Sequence, residues 1–529
     1  MAGLGAGLPP KAISYRGVYA MHKYWSKKPP NVVSHFINKF SKSGDLVLDS
    51  FCGSGVAISE SVRSGRKAIG IDLNPIAIEI ARTTINPVDI DLLKSEFHKI
   101  EVDLSPLIGE LYSTSCEVCK SDSALTTHVI SNEGVEYELW YSCNVCNQRK
   151  NTKSPSKSDV KKSNSPGTKR LHFPDVELYE NKRINAYAGM RTTDLFSPRA
   201  QVMISHLWDR INSVNDLSIR EALVTCFTAA IPQASKMVFV INQRKGKAPR
   251  KEVGSWVIGY WTPKEHFEVN AWNCFANRFK RVLNGKKEIA KLEIGATEKA
   301  SISELISSDG AGYHACIASA TNLPIDDEIV DYIFTDPPHG NRQPYLELSL
   351  IWNSWLNRDV EWDEEIVESE AKTRGKDAED YNKGLRKFYS EARRVLRNHG
   401  KMTVCFNSLN DEAWKSLMFG CLENGFQLIE VSPLSYSATS VVQDNRKNAL
   451  KTDFALTFEK TGGSHTLQQR SVDSELGELI QQSHEKGETQ FYQVLNHVFT
   501  STLPNGIYYP ISAIMSSYNS SMTALSGDQ

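Results

Sequence analysis

The chain lacks several things, and each absence narrows its class. No run of about 18 apolar residues occurs, so no segment reads as a membrane span. Residues 1–10 have no charged start followed by an apolar core, which argues against a secretory signal and makes the cytoplasm the expected compartment. Neither sign of charge is in excess: 61 basic residues face 62 acidic ones, for a net charge of −1. That balance neither announces nor excludes a nucleic-acid partner, because local patches outweigh totals. There is no internal repeat and no disulfide framework. Four of the ten cysteines form two C-x-x-C pairs, and Cys52, Cys226, Cys274, Cys316, Cys405 and Cys421 are scattered. That usage fits a reducing compartment and one metal site.

What is present reads as globular. The 529 residues are 40% hydrophobic and 23% charged, enough for about two to four domains. Residues 45–86 alternate strand, helix, strand and helix, with Asp45–Asp49 and Lys67–Asp72 as the strands. Asn74 and Pro75 then read as an N-cap and a first helical turn. Alternation of this kind implies a parallel sheet. The pattern resumes late, with strands expected at Tyr313–Ser319, Val330–Asp336, Lys401–Asn407 and Asp453–Glu459, and a helix at Tyr381–Asn398. A crossover needs a few tens of residues at most, so residues 91–310 are mostly additional material, with a helical region from Pro198 to Ala229. The segment after Thr461 is polar, Ser-rich at its end and silent about function.

Asp49 to Gly55 forms a strand-to-helix turn whose glycines let the backbone turn sharply and a ligand approach closely. Asp72 ends the next strand, where a carboxylate can accept both ribose hydroxyls of an adenosine. A dinucleotide fingerprint would want a third glycine at position 58, which is Ile58. The expected ligand is S-adenosylmethionine. Val330 to His339 then delivers Asp336, two rigid prolines and a ring at the carboxyl end of an apolar strand. Such a carboxylate, with the adjacent carbonyl, accepts hydrogen bonds from an amino group and orients its lone pair. The ring can stack on a base removed from a duplex.

Together these pieces resemble the amino-methyltransferases of DNA, whose signature is Asp/Asn/Ser-Pro-Pro followed by an aromatic residue. Phe51-Cys52-Gly53-Ser54-Gly55 is similar to their Phe-x-Gly-x-Gly loop, and Tyr24-Trp25-Ser26-Lys27-Lys28-Pro29 to their extra cofactor-lining motif. Leu195–Arg199 and Tyr345–Ser349 resemble segments of larger modification- or defence-associated bacterial members. The motif order is similar to the class with its recognition domain between the two halves. The resemblance implies an α/β fold: a Rossmann-like methyltransferase sheet with a large insertion carrying a zinc ribbon and a helical region. The expected divisions are 15–90 (cofactor half), 91–175 (ribbon with basic run), 176–310 (helical, target recognition), 311–460 (catalytic half) and 461–529.

The resemblance implies methyl transfer to an exocyclic base amine of DNA in a modification or phage-defence setting, with other subunits of such a system as partners. Asp336, Pro337, Pro338 and His339 are the expected catalytic residues. Tyr24, Trp25, Asp49, Phe51, Cys52, Gly53, Gly55, Asp72 and Asn322 are expected to bind the cofactor. There are two departures from the family: His339 replaces the usual larger aromatic, and Ser319 and Asn322 stand where an acidic residue is frequent. Asp at position 336 favours adenine N6 over cytosine N4. A cytosine-C5 nucleophile is rejected, because no Pro-Cys pair exists and Cys52 reads as packing beside the cofactor. Two alternatives stand: an RNA base methyltransferase, and a catalytically silent DNA-binding subunit.

Cys116-x-x-Cys119 and Cys143-x-x-Cys146 are separated by 23 residues. Two such knuckles place four thiolates around one tetrahedral, structural Zn²⁺. Residues 149–170 then carry eight basic side chains and one acid, Asp159. Such a run is either a solvated linker or a phosphate grip. Arg244–Lys247 with Arg250 and Lys251 form a second basic run.

Overall fold

A computed structural model describes residues 8–242, 251–256, 259–292, 297–340, 342–408, 410–434, 453–463 and 466–527. The second basic run, Lys251 aside, lies outside them. No helix among the described residues is long and apolar enough to cross a membrane.

The strands in chain order are β1 (Leu46–Asp49), β2 (Lys67–Asp72), β3 (Ser113–Thr114), β4 (Ala124–Asn132), β5 (Val135–Cys143), β6 (Gln148–Lys153), β7 (Val238–Asn242), β8 (Lys251–Val253), β9 (Glu265–Val269), β10 (Gly312–Ile317), β11 (Val330–Thr335), β12 (Leu396–Phe406), β13 (Phe426–Leu434) and β14 (Asp453–Lys460). The main sheet has the order β10-β2-β1-β11-β12-β14-β13. Its first five strands run parallel, and β14 runs antiparallel to both neighbours. The central strands are apolar almost throughout, as a sheet covered on both faces requires.

Side chains alternate between two cores. Val47, Tyr332, Phe334 and Cys405 enter one; Leu46, Leu48, Ile333, Met402 and Val404 enter the other. The first core is closed by α1 (Pro30–Phe40), by α3 (Pro75–Ile85), which follows α2 (Val56–Arg63), and by α10 (Tyr345–Leu356). It continues into α4 (Ile90–Tyr112), α6 (Pro198–Asn212), α7 (Leu217–Ala230) and α8 (Ala271–Lys291); the short helices α5 (Lys157–Asn164) and α9 (Ile302–Ser307) follow α4 and α8 in the chain. The second core is closed by α11 (Ala378–Val395), α12 (Asp411–Glu423) and three C-terminal helices, Ser474–Glu485, Phe491–Thr502 and Ile511–Gly527. Val494, Leu495, Val498 and Phe499 of the middle one are fully buried there. The segment after Thr461, polar by composition, is therefore part of the core. Its apolar residues are spaced for one helix face, and that spacing outweighs the average.

Strands β3 to β9 build a second, antiparallel sheet in which β4 pairs β5 on one side and β9 on the other. His128 to Asn132 align with Val269 to Glu265, so the ribbon hairpin and the strand before α8 share one sheet across position 175. An ion pair seals the joint: Arg199 reaches Glu268 at 3.0 Å, both buried, and Ser163 and Ser197 also donate to that carboxylate. Glu347 on α10 is likewise buried, accepting from Arg374 and from Asn181, which is 166 residues away in the chain. Both segments that carried the resemblance to larger members, around Arg199 and Glu347, thus hold buried ion pairs between parts of the chain.

Candidate functional site

One cleft, about 920 Å³ when the open solvent at its mouth is counted, lies across the carboxyl ends of β1, β2, β10 and β11. Parallel strands end there together, which is why open α/β sheets bind ligands at that edge. The cleft is lined by Tyr24 to Lys28, by Asp49 to Ser54, by Asp72 to Asn74, and by Ser319, Asp336, Pro338, Tyr345, Glu364 and Glu365.

The glycine loop is held from below. Gly53 has φ +47°, and a Cβ there would meet the Tyr24 ring at 3.0 Å. Its N–H donates to Asp72 Oδ2 at 2.8 Å, and the Asn74 N–H donates to Oδ1 at 2.9 Å. Asp72 is thus oriented by the backbone before any ligand arrives. Burial nevertheless raises its pKa to about 6, and that of Asp49 to about 8. For Asp49, the N–H of Phe51 and the hydroxyl of Thr335 oppose the shift without cancelling it.

Asp336 is the opposite case. Burial pushes its pKa up, but Lys28 and His339 push it down further, so the carboxyl sits below its usual value. Lys28 Nζ lies 2.6 Å from Oδ2, and His339 Nε2 lies 3.2 Å from Oδ1. The carboxylate is ionised and fixed at both oxygens.

Several expected residues sit elsewhere than the sequence placed them. His339 does not line the cleft: its ring rests on Phe406, with centroids 5.3 Å apart, and it turns toward Asp336. The aromatic wall comes instead from Tyr345, stacked on Tyr24 with centroids 6.0 Å apart and planes 19° apart. Pro337 is buried behind the wall. Gly55 does not line the cleft either, because a Cβ there would strike Ala81 of α3 at 2.7 Å; its role is close helix packing. Asn322 is exposed and outside the cleft. Asn74 starts α3, but its side chain makes no cap; it bonds Ser349 and Asn353 of α10 instead. Trp25 and Cys52 are buried in the cleft wall, and Phe51 packs on Phe388.

Sequence reasoning missed Lys28 as a partner of Asp336, and it missed Glu364. The Glu364 carboxylate accepts from Ser319 and Thr321, each at 3.0 Å, and so brings an acidic group to a strand end that lacks one of its own. No local signal marks it, because it arrives from 45 residues downstream of Ser319.

The four ribbon thiols meet as their spacing implies. Their sulfurs lie within 4.8 Å of one another, with Cys116–Cys146 at 3.6 Å and Cys119–Cys143 at 3.7 Å. Sulfurs around a tetrahedral Zn²⁺ at about 2.3 Å would stand roughly 3.8 Å apart, so the thiols fit that ion. The basic run is divided. Lys153 pairs with the buried Asp159, and Lys162 donates to Ser113, whereas Arg149, Lys150, Lys157, Lys161 and Lys169 are exposed.

A Rossmann-like mixed sheet with a glycine loop, an acidic second strand end and an Asp-Pro-Pro loop on one cleft defines a methyltransferase-like α/β protein. The DNA methylase family (N6/N4 type) matches residues 10–83 and 330–520, the two stretches that supply every strand of the main sheet except β10, and the chain belongs to that family. The type II methyltransferase M.MjaII of Methanocaldococcus jannaschii is 34% identical over 68 residues, which is 13% of either protein. The chain is therefore aligned with only a small part of that relative. Among solved structures, a DNA modification methylase of Thermus thermophilus is 14% identical, over 31% of this chain and 57% of that one, with a TM-score of 0.18. A SAM-dependent methyltransferase of Methanosarcina mazei is 9% identical, over 31% and 80%, with a TM-score of 0.17. Likeness at that level adds nothing to the strand order itself.

Proposed function

We propose that this protein transfers a methyl group from S-adenosylmethionine to an exocyclic amine of a DNA base, adenine N6 in a modification or defence setting. The observation that carries the reading is that the Gly53 loop, Asp72 and Asp336 open onto one cleft in a chain of the DNA methylase family. When bound, S-adenosylmethionine supplies an electrophilic methyl group. Asp72 accepts from the ribose hydroxyls. Asp49, whose pKa burial raises to about 8, lines the same cleft and would receive the cationic end of the ligand. Glu364 provides an acceptor near Ser319 for an adenine amine. Asp336, held ionised, accepts a hydrogen bond from the target amine and aims its lone pair. Positioning supplies most of the catalysis, because the leaving group needs little help. Tyr345 provides a ring against which a flipped base stacks.

In this reading the four thiols hold structural zinc, and the second sheet with its helices selects the DNA site. The test is methyl transfer by purified protein to duplex DNA and to tRNA, followed by separation of the nucleosides. N6-methyladenine from DNA is expected. N4-methylcytosine alone overturns the base, product in tRNA alone overturns the substrate, and bound cofactor without any transfer makes the chain a silent subunit.

A further inference from the structure

Lys28 is a buried cation inside the cleft that the proposed reaction does not use. It follows Ser26 and Lys27 and precedes Pro29 and Pro30, where α1 begins, so its backbone is stiff. Its side chain is 8% exposed, and its ammonium lies 2.6 Å from Asp336. His339 holds the other oxygen of that carboxylate. A hydrogen-bond acceptor and a hydrogen-bond donor therefore stand side by side, fixed, where the target amine must come.

We infer that Lys28 and Asp336 read the amine-bearing edge of the base together. This rests on the reading above. Asp336 accepts from the amine, and Lys28 donates to the ring nitrogen beside it. The logic is that of Asn and Gln, whose adjacent acceptor and donor match the N6 and N7 edge of adenine in duplex recognition. Adenine N6 with N1 or N7, and cytosine N4 with N3, offer a donor beside an acceptor. At the equivalent edge guanine O6 and thymine O4 put a carbonyl in place of the amine, which would face the Asp336 carboxylate unpaired. The ammonium has three N–H groups and the carboxylate several lone pairs, so the base enters without breaking the ion pair. Between turnovers each charge compensates the other, which spares the cleft an isolated buried charge.

A merely supporting role for Lys28, keeping Asp336 ionised, makes a different forecast. The experiment measures methyl transfer by wild type, Lys28→Met and Lys28→Gln at pH 7 and pH 9. The substrates are ordinary duplex DNA and duplexes carrying 7-deazaadenine or 1-deazaadenine, or 3-deazacytosine where the product is N4-methylcytosine. Calorimetry with S-adenosylhomocysteine checks each variant. Lys28→Met is expected to lower kcat/KM for DNA roughly 10- to 100-fold at both pH values, the range for losing a hydrogen bond from a charged donor. Its affinity for S-adenosylhomocysteine is expected to stay within about twofold, and Lys28→Gln, which keeps a donor, to recover part of the loss. A deaza substrate that removes the contacted ring nitrogen should cost wild type a similar factor and Lys28→Met nothing more. Full recovery of Lys28→Met at pH 9, or equal losses for wild type and Lys28→Met on every deaza substrate, would overturn the inference. Absence of transfer by wild type to ordinary DNA removes the proposed function, and the inference with it.

Discussion

The cleft and the ribbon are built on opposite principles. The cleft is set by two large apolar cores, one on each face of the main sheet, and its shape needs no ligand. The cysteine end of the ribbon has a core of six buried residues, two of them cysteines of the thiol cluster. So small a core cannot stabilise itself, and a metal is the usual remedy. Polar groups follow the same division. The cleft pairs Asp336 with Lys28 but holds Asp49 and Asp72 on N–H and hydroxyl donors, at pKa values raised by burial, whereas the second sheet and its helices pair buried charges with each other, as Arg199 with Glu268 and Lys153 with Asp159. Carboxyls can be buried in that way only where the surrounding frame is secure.

The sharpest way to break this comparison is at Asp336. Asp336→Ala should lower kcat by about 10³-fold or more, the scale of losing a fixed polar group at a reacting centre, while DNA binding hardly changes and the melting temperature falls without loss of the fold, because the buried Lys28 ammonium loses its counter-charge. Near-normal turnover would mean that another group receives the amine. A parallel collapse of the fold would mean that the cleft is less independent of its charges than its cores imply.

The ribbon should fail differently. With Cys143 and Cys146 both changed to Ser, zinc content should fall from about one ion per chain to none. The 116–146 segment should then become susceptible to proteolysis while the main sheet still binds S-adenosylhomocysteine. Elemental analysis and limited digestion check this. Unchanged metal content would remove the thiol cluster as its site.

Acidity separates the regions next. Asp49, with a folded pKa of about 8, holds a proton that its unfolded counterpart releases near pH 4. The folded state therefore binds more protons across that window. Stability from this group is complete below about pH 4 and is lost as pH rises toward 8, by at most about 1.4 kcal/mol per pH unit. Melting scans of the ligand-free protein from pH 5 to 9 should show the fall, and Asp49→Asn should flatten it. A wild-type curve that matches the variant's would show that the cleft hydrates more freely than its burial implies.

The smallest effect concerns the basic run. Changing Arg149, Lys150, Lys157, Lys161 and Lys169 to Gln should weaken DNA binding and reduce the salt slope by about 0.9 for each phosphate no longer neutralised. Lys153 and Lys162 are excluded because they serve the fold. An unchanged slope would make the exposed run a solvated face.

By itself the sequence determined what depends on local order. Strands buried on both faces must be nearly continuous apolar runs, whichever way they run, and so β1, β2, β10, β11, β12 and β14 were legible. Two C-x-x-C knuckles fix a thiol cluster by their own short turns. The glycine loop and Asp72 are adjacent because successive strands of one crossover are neighbours. Strand β13 and helix α12 carry no such signature and went unread, as did the C-terminal helices, whose polar average hides one apolar face each.

Tertiary structure alone decided which groups meet across long separations. Lys28 and Asp336 are 308 residues apart in the chain, and Ser319 and Glu364 are 45 apart. Position 339 looked like a stacking ring because it follows Pro-Pro, yet Phe406 and Asp336 offer its imidazole a better seat away from the cleft. Periodicity records which face of an element is buried. It says nothing of what stands opposite, and in this protein the chemistry of the cleft is set by what stands opposite.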